Sequence, residues 1–188
     1  MINLSDFPEY IKTDRIDLRR IKLSKENANM IFNIIDASRE NLEKWQGFIE
    51  YIKTPDDMLK QLQKRDEQWN NKTGFCFGIF KNDKFIGRIR FFNINPGEIA
   101  SCEIGYWLSD SDTGHGFMTE ALQALEKQLF GIGFNRIQME IDSGNIKSEN
   151  IAKKNNYVLE GRTRQSSWAK CCGVCDTLIY SKLKSEYK

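Results

Sequence analysis

Thr113-Gly114-His115-Gly116-Phe117-Met118-Thr119-Glu120-Ala121 is the stretch that decides how the rest of the chain is read. Gly114 and Gly116 allow backbone conformations closed to other residues and let bare N–H groups approach a ligand. Beyond them Met118, Ala121, Leu122, Leu125 and Leu129 fall at i, i+3, i+4, i+7 and i+11, one face of an amphipathic helix, with Gly131 and Gly133 suited to its end. The turn therefore opens a helix. Unpaired amides and the positive dipole end make such a start an anion site, and a pyrophosphate is the expected ligand. Gly-x-Gly before a helix is also compatible with an ordinary tight turn, so its surroundings must decide.

A chain of 188 residues, 40% apolar, is expected to be one domain spanning 1–188. The balance of 28 basic and 26 acidic residues leaves +2, no electrostatic footprint for direct nucleic-acid binding. Met1 to Lys12 carries Asp6 and Glu9 and no apolar core of a signal peptide, and the longest apolar run, Phe75 to Phe80, is too short to span a bilayer. A cytoplasmic location without membrane contact is expected. Five cysteines do not suggest a secreted disulfide framework. Cys172-Gly173-Val174-Cys175, with Cys171 beside it, lacks the second pair or histidine cluster of a zinc site, since His115 is the sole histidine. Reduced thiols in a hairpin turn are expected, and no metal.

Along the chain, Arg15 to Ile21 alternates as a half-buried strand does. A helix follows from Ser24 through Ala28, Ile31, Phe32 and Ile35, then a short one through Leu42 and Trp45. Thr54-Pro55-Asp56-Asp57 starts another that runs to about Asn71. Phe75–Phe80 and Phe85–Asn93 form a hairpin about Lys81-Asn82-Asp83-Lys84, and Ala100–Leu108 is a third strand. Arg136–Ile141 is a strand, Ser148–Asn156 a short helix ending on a left-handed Asn156, and Tyr157–Trp168 with Val174–Leu183 a long hairpin. Lys182–Lys188 is expected to fray. This order predicts a mixed α/β layer arrangement with one central sheet, neither doubly wound nor a P-loop NTPase.

Glu103-Ile-Gly-Tyr-Trp-Leu108, Gly114-His-Gly-Phe-Met-Thr-Glu-Ala121, Asn135-Arg136-Ile137, Asn145-x-x-Ser148 and Leu159-Glu160-Gly161 together resemble the GNAT (Gcn5-related) N-acetyltransferases. Within that family the chain is similar to the RimJ/RimL-like branch, the ribosomal-protein serine N-acetyltransferases. The resemblance implies the GNAT acyl-CoA N-acyltransferase fold, a mostly antiparallel sheet splayed at the CoA site, with acetyl-CoA as co-substrate. It also implies that the Gln/Arg-x-x-Gly-x-Gly/Ala signature falls on Thr113 to Met118, where Gly116 matches while Thr113 and Met118 depart. Pyrophosphate contacts would come from main-chain N–H groups between His115 and Thr119, within the set Thr113, Gly114, His115, Gly116, Phe117, Met118 and Thr119. Tyr106, Trp107 and Leu108 inherit the strand edge that pairs with the pantetheine arm, an amide near Leu108 being the oxyanion donor, and Asn145 helps to place the cofactor.

The implied reaction is transfer of acetyl to a primary amine. The expected acceptor is a protein N-terminal α-amine, a ribosomal protein being one candidate. Acetylation of a small amine, polyamine or aminoglycoside, and a CoA-binding module without turnover, stand as alternatives, and a homodimer is compatible with the branch. Ser148 is the candidate acid for the leaving thiolate or else an ordinary helix-start residue, because the tyrosine used by many relatives is replaced by Ala152. Glu103 could act as base through water or be a solvated strand residue, and the glutamate some members use as base is replaced by Ser167. Trp45, Phe48 and Tyr51 could line the acceptor groove or pack in the core. His115 occupies the variable place between the glycines and Glu160-Gly161 reads as structural.

Overall fold

The computed structural model describes residues 2–187, so expectations for Met1 and Lys188 lie outside the described residues. In chain order the elements are β1 (Tyr10–Lys12), β2 (Asp17–Arg20), α1 (Lys25–Ala37), α2 (Arg39–Leu42), α3 (Pro55–Asn70), β3 (Gly74–Lys81) and β4 (Lys84–Asn95). Then follow β5 (Ser101–Leu108), α4 (Phe117–Gly131), β6 (Arg136–Asp142), α5 (Ile146–Lys154), β7 (Val158–Ala169) and β8 (Gly173–Leu183). All eight strands form one sheet, ordered β1-β2-β3-β4-β5-β6-β8-β7. Every neighbouring pair is antiparallel except β5 beside β6.

Local chemistry accounts for the frame. Asn82 and Asp83 both take positive φ, 48° and 62°, which gives the two-residue β3–β4 turn the twist of its flanking strands. Phe75, Phe77 and Ile79 on β3 and Ile89 and Phe91 on β4 are buried at every second position, and the Phe75 and Phe91 rings stack at 4.7 Å. The buried face of α4, with Met118, Ala121, Leu122, Leu125 and Leu129, joins the same core. A smaller core gathers α1, α3, Phe85 and Trp107. Thr54 and Asp57 form a reciprocal capping box at the start of α3, as read from the sequence. Asn156 is left-handed, φ 59°.

Several expectations need correction. A three-residue strand, β1, precedes β2 and pairs with it from Tyr10 to Lys12; it is too short to show periodicity. The short helix after α1 ends at Leu42, and Trp45 falls outside it before a 3-10 turn over Gly47–Tyr51. α5 begins at Ile146 under an Asn145 cap and ends at Lys154, so Ser148 is not its first residue. As far as Tyr187 the expected frayed tail is structured: Lys182 and Leu183 belong to β8, and the Tyr187 ring lies 4.9 Å from that of Phe130.

Lys182 is buried because it meets a buried carboxylate. Its Nζ donates to Glu126 Oε2 of α4 at 2.8 Å, with side-chain exposures of 8% and 1%. Burial pushes the Glu126 carboxyl above its usual range, and the Lys182 bond offsets this only in part. Removing one member of such a pair strands a charge, whereas removing both is often nearly neutral. Lys182→Met is therefore expected to cost about 3–5 kcal/mol of stability, read from the urea midpoint, and adding Glu126→Leu to recover most of that loss.

Candidate active site

The glycine turn is shaped as its residues demand. Gly114 and Gly116 have φ of 83° and 81°, the left-handed region that glycine alone enters without strain, and Gly116 is the N-cap of α4. A Cβ at Gly116 would stand 3.4 Å from the Arg15 guanidinium. That contact belongs to a clamp. Glu120 accepts from Thr13 Oγ1 at 2.6 Å, Arg15 N at 2.9 Å and Arg15 Nε at 2.7 Å, while Arg15 Nη1 donates to the His115 carbonyl at 3.0 Å. Burial raises the Glu120 carboxyl, but these bonds outweigh it and hold the group below its usual range. The clamp ties the chain before β2 to the turn and leaves the first amides of α4 directed away from any helical acceptor.

The second feature is a parting of strands. β5 and β6 pair only over Ser101↔Arg136, Cys102↔Ile137 and Glu103↔Gln138. β5 stays on β4 as far as Leu108↔Gly87, and β6 stays on β8 as far as Asp142↔Thr177. Antiparallel strands alternate the side to which their backbone groups point. The Tyr106 carbonyl accepts from Gln46 Nε2 at 3.3 Å, which sets the backbone N–H and C=O groups of Tyr106 and Leu108 on the edge that β6 has left.

The start of α5 fills the gap. Asn145 Oδ1 accepts from Ser148 N at 3.2 Å, so the capping role falls to Asn145, and the Ser148 hydroxyl turns to Tyr106 Oη, 2.9 Å away. Burial pushes the Tyr106 phenol up to about 12 against the lowering effect of that bond. The phenol is therefore a neutral donor near pH 7.

These features share one cavity of about 400 Å³, within the range of small-molecule sites. All of the sequence-predicted cofactor residues except His115 line it, together with Ser148. His115 is exposed, its ring 5.7 Å from that of Phe117 on the outside of the turn. Thr113 donates its hydroxyl to the Asp110 carbonyl at 3.0 Å. Glu103 is half-buried where β5 and β6 are still paired and lines no cavity described here. Of the three aromatic candidates only Trp45 lines the cavity; Phe48 packs over the Arg88 guanidinium at 4.4 Å, and Tyr51 is exposed. Ala152 is buried in the core. Ser167 donates to Asp142 Oδ1 at 2.5 Å. Cys171 and Cys172 lie exposed at the β7–β8 turn, Cys175 is buried beside them, and all three are unbridged.

Sequence reading missed the Arg15–Glu120 clamp, the Tyr106 side chain, Gln46, and the lysines Lys147 and Lys154 at the cavity wall. Only Glu120, an acid in the first turn of a helix, carried a local signal.

A family model described as an acetyltransferase (GNAT) domain matches residues 15–158. The chain belongs to this family. The ribosomal-protein-serine acetyltransferase of Escherichia coli (strain K12) is 27% identical over 147 residues, 78% of this chain and 82% of that relative. The putative ribosomal N-acetyltransferase YdaF of Bacillus subtilis (strain 168) is 25% identical over 169 residues, 88% and 91% of the two chains. Among solved structures, RimL, a ribosomal L7/L12 alpha-N-protein acetyltransferase in complex with coenzyme A, aligns with a TM-score of 0.88 at 21% identity, covering 96% of this chain and 100% of that one. The microcin C7 self-immunity acetyltransferase MccE, in complex with acetyl-CoA and AMP, aligns with a TM-score of 0.87 at 23% identity, covering 96% and 99%. The expected GNAT fold, a mixed, mostly antiparallel sheet, is the fold of this acetyltransferase.

Because Asn145 caps the helix that carries Ser148, Asn145→Ala is expected to cost about 1 kcal/mol in denaturant titration. Faster amide exchange should concentrate in Ile146 to Lys154; unchanged exchange there would refute the capping account.

Proposed function

We propose that this acetyltransferase transfers acetyl from acetyl-CoA to the N-terminal α-amine of a protein, a ribosomal protein being the candidate acceptor, in the cytoplasm. The observation that carries the reading is the convergence, on one cavity, of the open helix start, the free edge of β5 and the Tyr106–Ser148 pair. Relatives named for acetylating ribosomal proteins support the acceptor class. Among the described residues no helix is long and apolar enough to cross a membrane. The exposed Val158, Leu159 and Trp168 on edge strand β7 offer a surface for the expected homodimer.

The donor set fits acetyl-CoA. Amides of the turn from His115 to Thr119 would hold the pyrophosphate, an arrangement governed by main chain and helix dipole rather than by the side chain at Thr113. Lys147 and Lys154 place positive charge at the wall. The Tyr106 amide and the Leu108 carbonyl would pair with the pantetheine arm, the Tyr106 carbonyl being held by Gln46, leaving the Leu108 amide to polarise the thioester carbonyl. When bound, acetyl-CoA supplies the acetyl group as an activated thioester. Ser148 would donate its hydroxyl proton to the departing sulfur, and Tyr106 Oη, 2.9 Å from Ser148 Oγ, would steady that hydroxyl.

An α-amine suits a site with modest base strength. With a pKa of about 7.7–8.0 it is roughly a tenth neutral at pH 7, against about a thousandth or less for a lysine side chain. Calorimetry with acetyl-CoA is expected to show saturable binding, weakened about tenfold in Gly116→Val, where the left-handed turn costs a branched residue strain. In a thiol-release assay, peptides with free N-termini should outpace Nα-blocked lysine peptides and polyamines by about tenfold or more near pH 7.5. Preference for polyamines or aminoglycosides would reassign the acceptor, and binding without release from any acceptor would refute turnover.

A further inference from the structure

A second, smaller cavity of about 80 Å³ abuts the first and shares Trp45, Gln46, Tyr106, Asn145 and Ser148 with it. Under the proposed function the thioester reaches this shared wall from one side, and the amine must come from the other. Two carboxylates line the second cavity, Glu140 and Asp142, both on β6. We propose that Asp142 is the general base that takes the proton from the acceptor amine, an inference that rests on the reading above.

Position and partners separate the two acids. Asp142 is the last residue of β6, four positions beyond the last β5–β6 pair at Gln138, and its carbonyl accepts from Asn145 N at 3.0 Å. It therefore belongs to the same turn as the residues that place Ser148. Its Oδ1 takes the Ser167 hydroxyl at 2.5 Å, which orients the carboxylate, and among the described residues no lysine or arginine forms an ion pair with it. Glu140 is exposed, and its Oε1 is bonded to Gln138 Nε2 at 3.2 Å. Partial desolvation, then Glu103, push the Glu140 carboxyl upward, with Asp142 adding to them.

Titratable and polar groups face Asp142 from each neighbouring element. From β8, the Cys175 thiol is pushed up to about 11, first by its bond to Cys172 and then by burial, with Asp142 contributing. From β5, Tyr106 lies at about 12; β7 presents Ser167 and the α5 start Asn145 and Ser148, which carry no charge. Glu140 is the remaining acid at the cavity wall. At the hairpin tip Lys170 is engaged with Glu43 of the α2 end.

The proton path balances. Asp142 accepts one proton from the incoming ammonium and passes it to water, and the freed nitrogen pair forms the C–N bond as the C–S bond breaks. Asp142 takes the second nitrogen proton, while the Ser148–Tyr106 pair protonates the sulfur and is restored through water by the proton Asp142 holds. The net release is one proton per acetyl transferred.

The test uses the full chain, acetyl-CoA and hexapeptides with a free N-terminal serine. Asp142→Asn should lower kcat/KM by about 100-fold and leave the calorimetric affinity for acetyl-CoA unchanged. Because Ser167 Oγ lies 2.5 Å from Asp142 Oδ1, adding Ser167→Glu to Asp142→Asn restores a carboxylate to the same place and should recover about tenfold; a purely structural role for Asp142 predicts no such rescue. An active wild type matched by an equally active Asp142→Asn overturns this assignment alone. So does an about 100-fold loss of kcat/KM in Glu140→Gln with an unaltered value in Asp142→Asn. A wild type that releases no CoA with any acceptor overturns it together with the proposed function.

Discussion

The parting of β5 from β6 after Glu103↔Gln138 is the constraint on which the site depends. Both strands have committed partners on their far sides, β4 and β8, for the full length of the gap. Neither can close it without losing a ladder. What remains is a row of backbone donors and acceptors on the inner edge of β5, and such groups are costly when left dry and unpaired. Gln46 satisfies one of them, the Tyr106 carbonyl. The rest form a ready template for an extended, amide-bearing ligand arm. Under the proposed function a binding surface would thus arise from the topology of the sheet, with side chains adding selectivity.

The glycine turn needs a different kind of support. Gly114 and Gly116 supply the conformation, but glycines also make a turn loose, and loose amides bind anions poorly because ordering them costs entropy. Here Glu120, inside the helix that the turn opens, takes three hydrogen bonds from Thr13 and Arg15, and Arg15 returns one to the His115 carbonyl. Exposed ion pairs contribute little to global stability. Their consequence in this place is local: they fix the direction of the first amides of α4 before any ligand arrives, which is preorganisation in its simplest form.

What could be read from the sequence follows from how local each determinant is. The turn, the apolar face of α4, the Asn82-Asp83 hairpin and the Thr54 cap are each written within a few residues and appear in the structure as expected. β1 escaped notice because three residues carry no period and gain their place only by pairing with β2. Lys182 looked like a polar tail because its partner, Glu126, lies 56 residues earlier. Ser148 was recognised as a candidate, yet Tyr106, 42 residues away, was assigned for its backbone alone. The place of Ser167 read as a lost carboxylate, but only the register of β7, β8 and β6 brings it beside Asp142.

A near-neutral chain can serve an anionic donor and a cationic acceptor only if its charges are sorted in space. With 28 basic and 26 acidic residues there is no global field to attract either. The sorting occurs across the wall shared by the two cavities. Lys147, Lys154 and the helix start of α4 lie on the larger side, where phosphates would sit, and Glu140 and Asp142 lie on the smaller. Between them stand groups without formal charge, Tyr106, Asn145 and Ser148, at the place where the thioester and the amine would meet. Neutral donors there avoid trapping either charged end by strong ground-state binding and keep their hydrogen bonds for charge that develops during the reaction. The burial that lifts the Tyr106 phenol to about 12 keeps it protonated, so at the place where the two charged ends would meet it stays a neutral donor.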